Sequence, residues 1–409
     1  MLNKEPSPRY SRHIEPAGPR LSSRNSPGTF RPHESRSANS GVIPWRETPN
    51  RISCYNVIRL SSMRLVSPLL KHVVYPALHH IGWLDHIMPP GGYAVVNYHG
   101  VVPSDHSVAE TFIDGNLVQP EMFRRQLQFL KTHYNVIRPE DFRVWIEQGK
   151  QLPPRAVLVT CDDGLVNTLT DMLPVLQSES VPCLFFVTGA SCSDEPGMLW
   201  YEELYHLMCT KPLIGSGLEL PLEEGAESTL SDSFQARWWS TVRRASQLNA
   251  KARADWMGLV RGLAQADDSK PRSERRWRLL SIRELTQLAE AGMSIGAHTT
   301  SHPILSLCSE EEVRREIEES KNGLEKALGR PIWAFAYPFG NPSTMGEREV
   351  RLAREAGFAC AFLNVEHWSA DPSNPFALPR THVNRDTALP EFAAHLSGIH
   401  ARLQRAGGS

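Results

Sequence analysis

The sequence predicts an α/β protein in which a parallel sheet or barrel is flanked by helices. Three observations carry this. Short apolar β-branched runs, such as Tyr93–Val96, Ala156–Val159 and Cys183–Val187, alternate with segments of helical period. The strand-like runs are near-continuously apolar, as strands covered on both faces must be. Several of them end in polar or charged residues with glycine, which is where α/β proteins keep their chemistry.

The chain has 409 residues, 44 Lys and Arg against 45 Asp and Glu, and 41% hydrophobic residues, enough for at least one large core. A net charge of −1 gives no reason to invoke nucleic acid or an anionic membrane as partner. The seven cysteines, Cys54, Cys161, Cys183, Cys192, Cys209, Cys308 and Cys360, form no CxxC pair, and several lie in apolar runs. Reduced, buried thiols are therefore expected. No stretch reaches the ~18 consecutive apolar residues of a transmembrane helix, and the N-terminus lacks the pattern of a secretory signal. A cytoplasmic location is the expectation.

Residues 1–53, rich in Pro, Ser and Arg, read as a disordered tail, with Met63 a candidate alternative start. Residues 54–91 read as a helical extension ending at Pro89-Pro90. Packing outside the domain is the favoured role for its 63–88 helix, and peripheral membrane contact the alternative. The main domain spans 92–409. Its first strand ends in Asn97-Tyr98-His99-Gly100, and a helix follows through Phe123, Leu127 and Leu130. Next come a Val136-Ile137 strand, a helix from Pro139 to Gly149, the strand entering Asp162-Asp163-Gly164, and a helix through Leu169, Leu173 and Leu176. Residues 190–278 interrupt the alternation and read as a largely helical insertion, with Trp238, Trp239 and Trp256 expected in its core. Ser281 to Glu284 and Ser309 to Glu312 each match a capping box, with Gly292 and Gly329 as terminators. A strand at Trp333–Tyr337, a helix near 346–356, a strand at 358–363 and a helix near 389–404 complete the series.

Two adjacent carboxylates at a strand tip repel unless a cation holds one of them. Two imidazoles four residues apart, His298 and His302, can converge on one ion, and Asp163 would complete a two-histidine, one-carboxylate site with room for water. Either motif alone is ordinary. Together, at the ends of apolar strands, they point to a metal centre.

These motifs resemble those of the polysaccharide deacetylases, the nodulation-factor deacetylase homology domain of carbohydrate esterases. Thr160-Cys161-Asp162-Asp163-Gly164 resembles the first family motif, with Cys where Phe is usual, and His298-Thr299-Thr300-Ser301-His302 matches the second. Phe335-Ala336-Tyr337-Pro338-Phe339-Gly340 resembles the third, with Ala336 at the usual Arg, as in the branch that modifies bacterial exopolysaccharides. The resemblance runs from about residue 92 to about 385. It implies a distorted (β/α)7 barrel and metal-dependent removal of acetyl groups from N-acetylated amino-sugar oligo- or polysaccharide. Asp163, His298 and His302 would hold Zn²⁺, with Co²⁺, Ni²⁺ or Mn²⁺ as alternatives. Asp162 would act as general base and the backbone N–H of Phe339 as oxyanion donor. The late motif that supplies the family's general acid has no clean match, so His99, His382 and, more weakly, His367 are candidates. Arg380 is expected to replace the arginine absent at Ala336. Trp368 and Asp371 could line the cleft but read as loop residues. Two other readings stand beside this one: a barrel that binds glycan or metal without turnover, and a hydrolase of a non-carbohydrate C–N bond.

Overall fold

Strand parity sorts the residues of this protein into two apolar layers. The computed structural model describes residues 68–86, 92–107, 111–210, 233–264, 275–365 and 374–400. The proposed tail, Met63, His367, Trp368 and Asp371 lie outside the described residues.

The strands are β1 (Tyr93–Tyr98), β2 (Asn135–Val136), β3 (Ala156–Cys161), β4 (Leu184–Val187), β5 (Ser294–Ala297), β6 (Ala334–Ala336), β7 (Cys360–Phe362) and β8 (Thr381–His382). All their pairings are parallel, in the order β7-β6-β5-β4-β3-β1-β8, with β2 beside β3 off this path. The two ends of the order meet. Phe362 bridges Leu378, just ahead of β8, and the Leu363 and Leu378 amides donate to Leu378 O and Ala361 O at 2.8 and 3.0 Å. The cylinder is therefore the expected distorted (β/α)7 barrel.

Tyr93, Val95, Leu158, Leu184, Phe186, Ala336 and Phe362 fill the interior, while Val96, Val159, Phe185, Ile295 and Phe335 face the surrounding helices. Gly296 is required here, because a Cβ on it would lie 2.6 Å from the Phe186 ring. Following the inward parity toward the strand ends, the apolar layer gives way to Asn97, Thr160, Asp162, His298 and Arg380. Leucines below and polar groups above is what places a reactive cup on a rigid plug.

The N-terminal helix α1 (Tyr75–His80) continues from a π turn at Leu70–Val74. Its Tyr75 is buried and donates or accepts at His400 Nδ1, 2.9 Å away, while Leu69, Val73, Ile81 and Trp83 on the flanking turns stay exposed. Around the barrel follow α2 (Pro120–His133), α3 (Pro139–Gln148) and α4 (Leu173–Glu179). Gly149 ends α3 in the left-handed region at φ 70°.

The insertion holds α5 (Trp200–Thr210), α6 (Phe234–Ala245) and α7 (Ala250–Ala264). These close on their own core of Leu204, Trp238, Val242, Trp256, Met257 and Trp277. The insertion leaves and rejoins the barrel at one place, where Met198 bridges Arg278 antiparallel and Leu165 bridges Leu279.

After it come α8 (Ile282–Glu290), α9 (Glu310–Leu328), α10 (Glu347–Glu355) and α11 (Leu389–Leu396). The Ser281 capping box is complete. The expected box at Ser309 is only half made: Ser309 caps Glu312 N–H, but the Glu312 carboxylate is drawn to the Ala250 amide and Arg315 instead. The last helix is broken inside its expected 389–404 span: α11 stops at Leu396, Gly398 turns the chain through φ +72°, and helix resumes at Ile399 and His400, where the described residues end. Cys161, Cys183, Cys308 and Cys360 are buried thiols outside any disulfide.

Candidate active site

Three loops at the strand ends bring the chemistry together, and each contains backbone that ordinary side chains avoid. Asp163 (φ 75°), Thr299 (62°), His302 (56°) and Phe339 (60°) all sit in the left-handed region. Such residues cost roughly 1–3 kcal/mol each and persist where surrounding contacts over-determine them. The two histidines are thus on a looped strand end after β5.

Asp163 Oδ1 lies 3.5 Å from His298 Nε2 and 3.3 Å from His302 Nε2. Bonds of ~2.1 Å to a tetrahedral ion imply ligand separations of about 3.4 Å, so the spacing fits a shared Zn²⁺-like ion. His298 Nδ1 pairs with Ala336 O at 2.7 Å, which fixes the ring as an Nδ1–H donor and turns the Nε2 lone pair toward Asp163. All three residues are buried, and Asp163 Oδ1 has no hydrogen-bond partner among the described residues. A buried, unsatisfied carboxylate oxygen facing two imidazoles is a donor set of borderline character, and it fits a divalent metal. Burial pushes the Asp163 carboxyl up, but the two histidines outweigh this and hold it well below the usual range.

Asp162, one residue earlier, is engaged elsewhere. Arg380 Nη1 and Nη2 donate to its Oδ1 and Oδ2 at 2.7 and 2.6 Å, and Asn97 Nδ2 donates to Oδ2 at 2.9 Å. Arg380 is itself anchored, with Nε donating to Leu363 O at 2.8 Å and Nη1 to Asn97 Oδ1 at 3.0 Å. Burial raises the Asp162 pKa, and Arg380 and His298 more than reverse it, leaving an ionised carboxylate. Arg380 thus stands against Asp162 while Ala336 supplies only a carbonyl to His298.

His99 and His382 come together, their rings in edge contact at 5.0 Å. Asn364 Nδ2 lies 3.4 Å from His382 Nδ1. Burial lowers the His99 pKa despite both aspartates, and His99 Nδ1 has no hydrogen-bond partner among the described residues. The Phe339 ring packs on His302 at 4.9 Å.

The insertion reaches this cup. The Tyr201 ring lies 5.2 Å from His302 and 5.9 Å from Phe339, and Trp239 lies 6.1 Å from Phe339. Burial, with Asp163 adding to it, raises the Tyr201 pKa well above its ordinary value, so the phenol keeps its proton. Of the insertion tryptophans, Trp238 and Trp256 are core, as expected. Trp239 is only half-buried and borders the site.

A sequence profile described as polysaccharide deacetylase matches residues 272–361, which include His298, His302 and the Ala336–Phe339 turn. Over this segment the chain is similar to the polysaccharide deacetylases. Curated relatives include a poly-beta-1,6-N-acetyl-D-glucosamine N-deacetylase of Escherichia coli strain K12, 27% identical over 103 residues, 25% of this chain. The match spans only 15% of that relative's length. Among solved structures, the Streptococcus pyogenes deacetylase PplD, in complex with acetate, is similar at a TM-score of 0.47 and 16% identity, covering 76% of this chain and 99% of that one. IcaB from Ammonifex degensii gives a TM-score of 0.47 and 18% identity over 76% and 98% of the two chains.

Reading the sequence missed four contributors to this site. Asn97 was visible only as part of a strand end, and its bond to Asp162 crosses 65 residues. Trp200, Arg253 and Glu316 carry no motif; they meet the second-motif loop only through the fold. A polar residue at an inward strand position, as Asn97 is, was the one available signal.

Proposed function

We propose that this chain hydrolyses N-acetyl groups on an amino-sugar oligo- or polysaccharide, with a divalent metal held by Asp163, His298 and His302. The observation that carries the reading is the buried, unsatisfied Asp163 Oδ1 facing two imidazole Nε2 atoms, beside a second carboxylate that is kept off them by Arg380. Zn²⁺ best suits this donor set. When bound, such an ion polarises the acetyl carbonyl and lowers the pKa of water toward ~7.

The rest falls to side chains. Asp162, oriented by Arg380 and Asn97, accepts a proton from the attacking water as its oxygen adds to the carbonyl carbon. The Phe339 N–H, in the turn beside His302, donates to the developing oxyanion. The C–N bond then breaks, acetate leaves, and the amine takes up the proton that Asp162 accepted, passed through His99 or His382, the two imidazoles set edge to edge above β1 and β8. Tyr201, Trp239 and Phe339 give the sugar an apolar wall.

Acetate release from β-1,6-linked N-acetylglucosamine oligomers by chelator-stripped protein, refilled with Zn²⁺, Co²⁺, Ni²⁺ or Mn²⁺, tests the proposal. Release that requires metal and vanishes in Asp162→Asn supports it. Stoichiometric metal and oligomer binding without acetate would replace it with the binding-only reading. Activity confined to non-sugar amides would replace it with the broader C–N hydrolase. A cytoplasmic glycan precursor as substrate is part of the proposal, and recovery of the native protein in the membrane or external fraction would remove that part.

A further inference from the structure

The loop that carries both histidines is held from two sides, and one of those sides is the insertion. Glu316 on α9 accepts the Thr300 and Ser301 amides at 2.9 and 2.8 Å and the Ser301 hydroxyl at 2.5 Å. Arg253 on α7 donates from Nη2 to Ser301 Oγ at 2.5 Å, and the same nitrogen lies 3.7 Å from Glu316 Oε1. Arg253 Nη1 is tied to Leu248 O at 3.1 Å, and the guanidinium lies 5.3 Å from the centroid of the Trp200 ring. Trp200 in turn donates from Nε1 to the carbonyl of His302 at 3.3 Å.

From this geometry we infer that Arg253 is a positioning residue for the metal ligands, so that the helical insertion sets how tightly the barrel holds its ion. The inference rests on the metal-site reading above. Between the two histidines the chain makes its turn with Thr299 at φ 62° and His302 at φ 56°, conformations that relax unless neighbours fix them. Inside the loop, one bond helps, from the His302 amide to Thr299 Oγ1 at 3.0 Å. The Gly189 and Ala190 amides hold the Thr299 and Thr300 carbonyls at 2.8 and 3.2 Å, and further restraint comes from Glu316, Arg253 and Trp200. Glu316 is 2% exposed and Arg253 3%. Removing one partner of a buried ion pair is costly, so the three bonds that Glu316 accepts from the loop are coupled to the presence of Arg253. Arginine suits the place because its planar fork can bond Ser301 and Leu248 while stacking on an indole. Partners that orient a metal-binding histidine without touching the ion typically change metal affinity 10–100-fold when lost.

Arg253→Met is made in a Glu316→Gln background, so that the double variant leaves neither member of the pair charged, and it is compared with wild type and with Glu316→Gln, in which Arg253 alone keeps its charge. Arg253→Lys and Trp200→Phe complete the set. Two quantities are measured: Co²⁺ affinity by competition with a chelator, and hydrogen exchange of the Thr300, Ser301 and His302 amides in metal-free protein. The expected result is a Co²⁺ affinity about 10–100-fold weaker for the double variant than for Glu316→Gln, with loop amides exchanging faster and α8 and α10 unchanged. Arg253→Lys falls between. Affinity within twofold of Glu316→Gln overturns the inference, whatever the exchange shows. Should the wild-type protein itself hold no Co²⁺ or Zn²⁺, the metal-site reading fails. The exchange arm then decides the clamp alone, with unchanged protection in the variant overturning it. A double variant that does not fold leaves Arg253→Lys and Trp200→Phe, each expected to weaken Co²⁺ by several-fold, and no change in either overturns the proposal.

Discussion

Asp162 turns both carboxylate oxygens to three donated N–H groups within 2.9 Å, while its neighbour Asp163 turns Oδ1 to two imidazole nitrogens at 3.3 and 3.5 Å and finds no donor for it among the described residues. Same residue type, adjacent positions, equal burial: the environments differ because the backbone does. Asp162 continues the inward parity of β3 into the barrel, where Arg380 waits. Asp163, at φ 75°, is swung out of that parity toward the loop after β5. One aspartate is a satisfied anion and the other an unsatisfied one facing two imidazoles, so damage to each should read out differently.

The largest effect belongs to the unsatisfied side. Asp163→Asn should abolish stoichiometric metal binding and lower acetate release by about 10³-fold or more, since the ion supplies several kcal/mol of charge stabilisation. Its fold should survive, because Oδ1 holds no donor that would be orphaned; metal analysis and a melting curve check both. Next comes Asp162→Asn, with a rate loss of about 10²–10⁴-fold and metal content retained, which separates two properties that Asp163→Asn loses together. Loss of metal in this variant would erase the contrast between the two residues.

Arg380→Met sharpens the comparison through pH. It breaks a buried pair, and a cost of about 3–5 kcal/mol is expected in denaturant unfolding. In the wild type, the folded Asp162 pKa lies below its ordinary value, so this group's contribution to stability is present above the unfolded value of ~3.9 and is lost as pH falls through the folded one. Without Arg380 the largest opposition to burial is gone and the folded value moves upward, with His298 and His99 still opposing it. The contribution to stability shrinks, and the acid limb of the rate profile should move upward. An unchanged acid limb would mean Arg380 does not govern Asp162.

The smallest effect is expected where the same chemistry is half-solvated. Glu284 is held bidentately by Arg278 at 2.7 and 2.7 Å and closes the Ser281 capping box. Burial pushes its pKa up, but Arg278 and Ser281 prevail and bring it to about 2. Its stabilisation is present above the unfolded value of ~4.3 and fades as pH falls toward about 2. Glu284→Ala should cost about 1 kcal/mol at pH 7, read from urea midpoints, and leave acetate release unchanged.

The proposed metal triad and the proposed base could be singled out because each motif is contiguous in sequence and ends an apolar strand. Arg380 was legible by a subtraction: a partner for Asp162 was missing at Ala336, and 380 is an arginine just ahead of the closing strand. What stayed hidden depended on long-range contact or on backbone angles. Thr299 and His302 carry no glycine to announce φ > 0. Glu312 looked like a capping-box residue until the Ala250 amide, 62 residues away, claimed it. The final helix read as continuous through Gly398, since a glycine inside a helical period is silent about whether it bends the chain.

The bridges between Met198 and Arg278 and between Leu165 and Leu279 also bear on how this chain could change over evolution. Because the excursion begins and ends on hydrogen-bonded neighbours, the barrel experiences it as the tip of a hairpin, whatever its length. Doubling such a tip costs only about 0.6 kcal/mol of closure entropy, so a lineage can lengthen, trim or exchange it with the strand register undisturbed. The excursion is in that sense a cassette, answerable to the barrel through contacts such as Arg253 with Ser301 and the Ala250 amide with Glu312.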